Sequence, residues 1–102
     1  MGNALIDGAE AAMAEVLEVL RAKNHDYAGE AGDPFRCFEA ARLIGMHPLQ
    51  GILLRMLDKV SRAATLIEAD PAVAGEGLRD AADDLLGYSA IMAAYVGQRM
   101  GT

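Results

Sequence analysis

Apolar residues recur every three or four positions through most of the chain, the period of a helix with one buried side. Between Ala4 and Asn24, the residues Ile6, Ala9, Met13, Val16, Leu17 and Leu20 project within about 100° of one another on a helical wheel. This predicts a first amphipathic helix over 4–24. From His25 to Pro34 the period is lost, and Gly29, Gly32 and Asp33-Pro34 mark a loop of about ten residues, long for a helical bundle. Asp33 as a cap and Pro34 at the first position then start a second helix over 34–44, with Phe35, Phe38, Ala41 and the stem of Arg42 turned inward and Gly45 as its left-handed stop. Pro48 opens a third helix over 48–68, whose apolar side is Leu53, Met56, Leu57, Val60, Ala64 and Ile67. Asp70-Pro71 punctuates the next turn, Gly75 and Gly77 loosen the entry, and a fourth helix follows over 76–97. No run alternates as a strand does, and no segment repeats. The expectation is all-α: a single helical domain over 1–102, four-helix bundle-like.

Composition supports a real core. A domain of 102 residues buries roughly two-thirds of the surface its unfolded chain exposes. Its two phenylalanines, three tyrosines and absent tryptophan leave that core to Ala, Leu, Ile, Val and Met, which suit close helix packing. The net charge of −6 opposes binding to nucleic acid polymers. It leaves room for a small anionic ligand at a local basic patch, or for a divalent cation among carboxylates. Cys37 is the single cysteine, so no intrachain disulfide forms, and zinc-site spacings are absent. No apolar run approaches the roughly 20 residues that span a bilayer, and no signal-peptide pattern opens the chain. A soluble, cytoplasmic protein without membrane association is expected.

Two charged constellations stand out. Glu76, Asp80 and Asp84 sit four residues apart and climb one side of the fourth helix, in line with Ile91 and Tyr95. Such carboxylates repel unless a cation lies between them, which makes the ladder a candidate metal or metal–phosphate site; the alternative is a solvated acidic first turn. Asp83 lies at its edge, as a surface charge. On the third helix Arg55, Asp58, Lys59 and Arg62 share a side away from the apolar stripe, where Arg55 or Arg62 is placed to grip phosphate or to pair with a carboxylate of the fourth helix, the alternative being pairs among themselves in water. Beyond the first helix, Lys23, Asn24, His25, Asp26 and Tyr27 gather groups that can hold base, sugar or metal and that are also ordinary in a helix-terminating turn. Glu15 and Glu18 point away from the first apolar stripe and read as solvated. Cys37 has no base nearby in sequence and reads as a buried, inert thiol.

In order, Lys23 to Tyr27, Pro34-Phe35, Arg55 to Arg62, and Asp80 to Tyr88 resemble the nucleotide modification associated domain 1 proteins of phages. That family is similar in turn to the MazG-like all-α nucleoside triphosphate pyrophosphohydrolases. The resemblance covers roughly Leu20 to Tyr95. It implies a MazG-like architecture, a nucleotide ligand and, for a phage-encoded chain, the host cytoplasm. MazG-like enzymes release pyrophosphate using Mg²⁺ held by carboxylates on two helices. Here Glu76, Asp80 and Asp84, with Asp58, would hold Mg²⁺, with Asp80 and Asp84 catalytic. Arg55, Lys59 and Arg62 would steady phosphates, and Lys23, Asn24, His25, Asp26, Tyr27 and Tyr88 would contact the rest of the substrate. The third helix is basic where those enzymes are acidic, and Glu15-x-x-Glu18 lies upstream on the wrong face.

Three readings follow: a Mg²⁺-dependent pyrophosphohydrolase-like enzyme, a non-catalytic binder that sequesters a nucleotide or cyclic nucleotide, and a structural oligomer whose charges pair between subunits. All three are expected to self-associate as a homodimer or higher homo-oligomer. The fourth helix is apolar nearly all round after Leu85, through Leu86, Ile91, Met92, Ala93, Tyr95 and Val96, more than one small bundle buries.

Overall fold

A computed structural model describes the backbone of residues 2–28 and 32–102, and the side chains of 2–24 and 32–102. Four α-helices, α1 (Ala4–Ala28), α2 (Arg36–Glu39), α3 (Pro48–Ile67) and α4 (Pro71–Arg99), make an all-α architecture with no strand among the described residues. None of these helices is long and apolar enough to cross a membrane.

Several boundaries differ from expectation for local reasons. α1 continues to Ala28, because the first helix-breaking residue after Leu20 is Gly29. Lys23 and Asn24 therefore stand on the helix rather than in a turn beyond it. The second helix is a single α turn that tightens into a 3₁₀ segment over Ala40–Ile44 and stops at Gly45, whose φ of +77° is the left-handed cap expected there. Asp33 accepts from the Phe35 amide at 2.9 Å, so the α turn begins only at Arg36. α4 starts at Pro71, five residues early, because Asp70 caps it by accepting from the Ala72 amide at 2.8 Å. Gly75 and Gly77 thus lie inside the helix. Gly77 serves close packing: a Cβ there would come within 2.9 Å of Leu66 Cδ1. At the start of α3, His47 Nδ1 accepts from Leu49 N and Gln50 Oε1 accepts from His47 N, a reciprocal cap.

α3 and α4 form an antiparallel hairpin joined by a short link over 68–70. Lys59 meets Asp84 and Leu66 meets Gly77, so contacts move toward the chain's start on α3 as they move toward its end on α4. α1 leans on another side of α4 at Gly87, where Val16 lies 3.6 Å from the position a Cβ would take, an ordinary contact. The core gathers where α2 closes the bundle: Phe35, Phe38, Ile52, Ile91 and Tyr95 are buried, with Leu20, Leu49, Met56, Tyr88 and Met92 packed against them. Tyr95 locks α4 to the α2 segment. Its ring meets Phe35 edge-on at 5.3 Å, and its hydroxyl donates to Glu39 at 2.8 Å. Arg99 donates to Asp33 at 2.6 Å and stacks over Phe35.

The main correction concerns α3. The row turned to α4 includes Ile52, Met56, Lys59, Ala63 and Leu66, all buried or half-buried. Of the apolar stripe expected inside, only Met56 belongs to that row; Leu53, Leu57, Val60, Ala64 and Ile67 are exposed. Both rows have helical spacing, and the hairpin selects the one compatible with the small and acidic residues of α4.

Candidate functional site

The antiparallel hairpin lays the basic row of α3 beside the acidic ladder of α4. Lys59 Nζ lies 3.0 Å from Asp84 Oδ2, both partly exposed, so α4's Asp84 takes a lysine partner rather than Arg55 or Arg62. Arg55 instead projects beside Tyr88 and Cys37, with Nη2 3.9 Å from Sγ and the guanidinium 5.8 Å above the Phe38 ring. Cys37 is exposed rather than buried as expected, because it faces away from Phe38's core side of the α2 turn. The Tyr88 hydroxyl, more than the neighbouring Cys37, holds the Arg55 guanidinium charged against its partial burial. Arg62 reaches the backbone side of Gly77, where its Nη2 would sit 3.6 Å from a Cβ.

On the other flank of α4, α1 and α4 enclose a cleft of about 440 Å³. Asp80, Asp83, Asp84 and Tyr88 line it from α4, and Glu15 and Lys23 line it from α1, over an apolar floor that includes Val16, Leu20, Gly87 and Ile91. Arg79 braces the rim: it pairs with Asp83 and Glu15, each at 3.2 Å, and Asp83 first, then Glu15, pushes its guanidinium pKa further up. Lys23 and Asp80 have no ion-pair partner among the described residues. Both face the cleft.

Of the residues singled out from sequence, the cleft gathers Lys23, Asp80, Asp84 and Tyr88, and touches Lys59 through Asp84. Asn24 faces an adjoining apolar cleft of about 300 Å³ between α1, Phe35, Phe38 and the later half of α4. Glu76 is exposed and absent from the lining, and Asp58 is exposed on α3. Of the expected metal set, Asp80 and Asp84 line the cleft, and Glu76 and Asp58 do not. Among the described residues no three His, Cys, Asp or Glu side chains gather closely enough to hold a metal ion. The side chains of His25, Asp26 and Tyr27 lie outside the described residues.

Two lining residues, Glu15 and Asp83, are not among the site residues expected from sequence, and Glu15 is solvated as expected. Glu15 lies opposite the first helix's apolar stripe, exposed to water, and Asp83 lies beside rather than on the ladder. α1 meets α4 at Gly87, so the edge of each helix, not its centre line, borders the cleft. The i, i+4 pairing of Arg79 with Asp83 was the one sequence signal for it. No family model matches the chain, and no match is found among curated proteins or solved structures.

Proposed function

We propose that the α1–α4 cleft binds a nucleotide-class small molecule without requiring a metal. The observation that carries this reading is the meeting, in one cleft, of Lys23, Asp80 and the ring of Tyr88, the two charges having no ion-pair partner among the described residues. The cleft's volume falls within the roughly 300–1,000 Å³ of small-molecule sites. Lys23 would meet a phosphate, Tyr88 the face of a base, and Asp80 and Asp83 would accept hydrogen bonds from ribose hydroxyls or exocyclic amino groups. The resemblance to nucleotide modification associated domain 1 proteins points to the same ligand class. No step of this reading is assigned to a metal.

Titration calorimetry in EDTA with nucleoside mono-, di- and triphosphates tests the proposal. Binding is expected without metal, and Lys23→Ala is expected to weaken it by about tenfold or more, the value of a hydrogen bond to a charged group. No heat from any nucleotide, or affinity unchanged in Lys23→Ala and Tyr88→Ala, refutes it.

One observation favours a catalytic second reading: Glu15 of α1 borders the same cleft as Asp80, Asp83 and Asp84 of α4, so acids come from two helices. Pyrophosphate release from common ribo- or deoxynucleoside triphosphates in the presence of Mg²⁺, lost in Asp84→Asn, would establish it. Binding in EDTA with no release would leave the binder.

A further inference from the structure

The lining of the α1–α4 cleft is acidic, and most of the cations near it are already engaged. Glu15, Asp80, Asp83 and Asp84 border the cleft, against Lys23 as the one cation among its lining residues. Two further cations reach these acids from outside the lining, and both are held. Arg79 lies 3.2 Å from Glu15 and from Asp83, and Lys59 lies 3.0 Å from Asp84. Lys23 has no ion-pair partner among the described residues, and neither has Asp80. With Arg79 and Lys59 included, four carboxylates face three cations, so the cleft carries one negative charge in excess before a ligand enters.

The backbone offers phosphate no further help. Polyphosphates are commonly held by the unpaired amides of helix N-termini and glycine-rich turns. Here the lining comes from helix interiors: residues 15–23 of α1, which runs Ala4–Ala28, and residues 80–91 of α4, which runs Pro71–Arg99. Amides in those positions are taken by the helical ladder. What remains is the Lys23 ammonium, with three N–H donors and a single charge. That matches one phosphate group, which carries about −1.5 to −2. A second or third phosphate adds negative charge that meets carboxylates, whose oxygens only accept hydrogen bonds. The same carboxylates suit the other end of a nucleotide, where hydroxyls and exocyclic amino groups donate.

Building on the nucleotide reading above, we propose that the cleft selects by phosphate number: its metal-free ligand is a nucleoside carrying one phosphate, and di- and triphosphates are disfavoured. Lys23 takes the phosphate, and Asp80 and Asp83 accept from the nucleoside.

Calorimetry in EDTA at low ionic strength tests this, comparing adenosine, guanosine, cytidine and uridine each with its mono-, di- and triphosphate. The monophosphate is expected to bind tightest, with affinity falling about two- to fivefold for each phosphate added, the repulsion of one charge at about 8 Å in a water-rich site. Lys23→Ala is expected to remove the monophosphate's advantage over its nucleoside. Glu15→Gln, at a position 70% exposed and so without cost to the fold, deletes one carboxylate of the rim. It is expected to narrow the gap between mono- and triphosphate by about threefold. A triphosphate bound as tightly as its monophosphate, a monophosphate no tighter than its nucleoside, a Lys23→Ala variant that keeps the monophosphate's advantage, or a gap unmoved by Glu15→Gln overturns the selection and leaves the nucleotide reading standing. Silence from every nucleoside and nucleotide removes both.

Discussion

Replacing Tyr95 by Phe removes one oxygen from the best-buried part of the molecule and leaves the rest in place. Tyr95 is 2% exposed, and its ring contacts with Phe35 and His47 survive the substitution. What is lost is the hydroxyl that donates to Glu39 at 2.8 Å and accepts from Arg42 at 3.4 Å. Burial first, then the Glu39 carboxylate, pushes the Tyr95 phenol up, so the hydroxyl remains a donor through neutral pH. A hydrogen bond to a charged group contributes about 1.5–3 kcal/mol. Glu39 retains Arg42 at 2.8 Å and Arg99 at 3.5 Å and still touches water, so no buried charge is orphaned. The expected loss is therefore about 1–2 kcal/mol. With a urea m-value near the low end of the usual range, the unfolding midpoint should fall by about 1 M. The assay is urea titration followed by circular dichroism, both proteins at one concentration, because self-association would add to apparent stability. An unchanged midpoint would refute the lock. So would a loss as large as the about 3–5 kcal/mol of removing a buried aromatic ring outright, since that would mean the hydroxyl carries the packing.

Glu39 also sets an acid limb. Arg42 above all, then Tyr95, holds its carboxyl below the ordinary range, so its contribution is complete above the unfolded value of about 4.3 and is lost as pH falls through the lower folded value. Glu39→Gln should flatten the stability-versus-pH curve below about pH 5, and an acid limb identical to wild type would count against the assignment. Gly87→Ala should be tolerated: its Cβ meets Val16 at 3.6 Å, an ordinary contact, and an interior helical Ala gains up to about 1 kcal/mol over Gly, visible as a raised Tm. A marked loss would mean that α1 lies closer to α4 than this geometry has it. Lys59→Met should change stability by less than about 1 kcal/mol in denaturant titration, because the Lys59–Asp84 pair is partly exposed and Met fills the same row; a large loss would show the pair to be a structural linchpin.

Much of the helical layout is written locally. Pro48 and Gly45 bound α3 and the 3₁₀ segment, Phe35 and Phe38 reach the core as their spacing indicates, and Asp80 and Asp84 share a side of α4 that borders a cleft. Each of these depends on residues a few positions apart: a ring that fixes φ, a missing Cβ, a repeat near 3.6. Boundaries slipped where a local signal was outweighed by its neighbours. Gly75 and Gly77 read as a loose entry, yet the Asp70 cap with Pro71 starts α4 before them.

Which face meets which was another matter. α3 has two apolar rows of equal periodicity, and sequence favoured the one richer in Leu and Val, while the fold turned Ile52, Met56, Lys59, Ala63 and Leu66 toward α4. Only that register brings Lys59 to Asp84 and Leu66 to the bare backbone of Gly77. Glu15 reached the cleft because α1 crosses α4 at Gly87, a contact between residues far apart in the chain. Sequence alone determined which residues share a side of each helix, because that follows from the helical repeat. The tertiary structure decided which sides meet, because that is settled by competition among distant surfaces, each with its own volume and charge to accommodate.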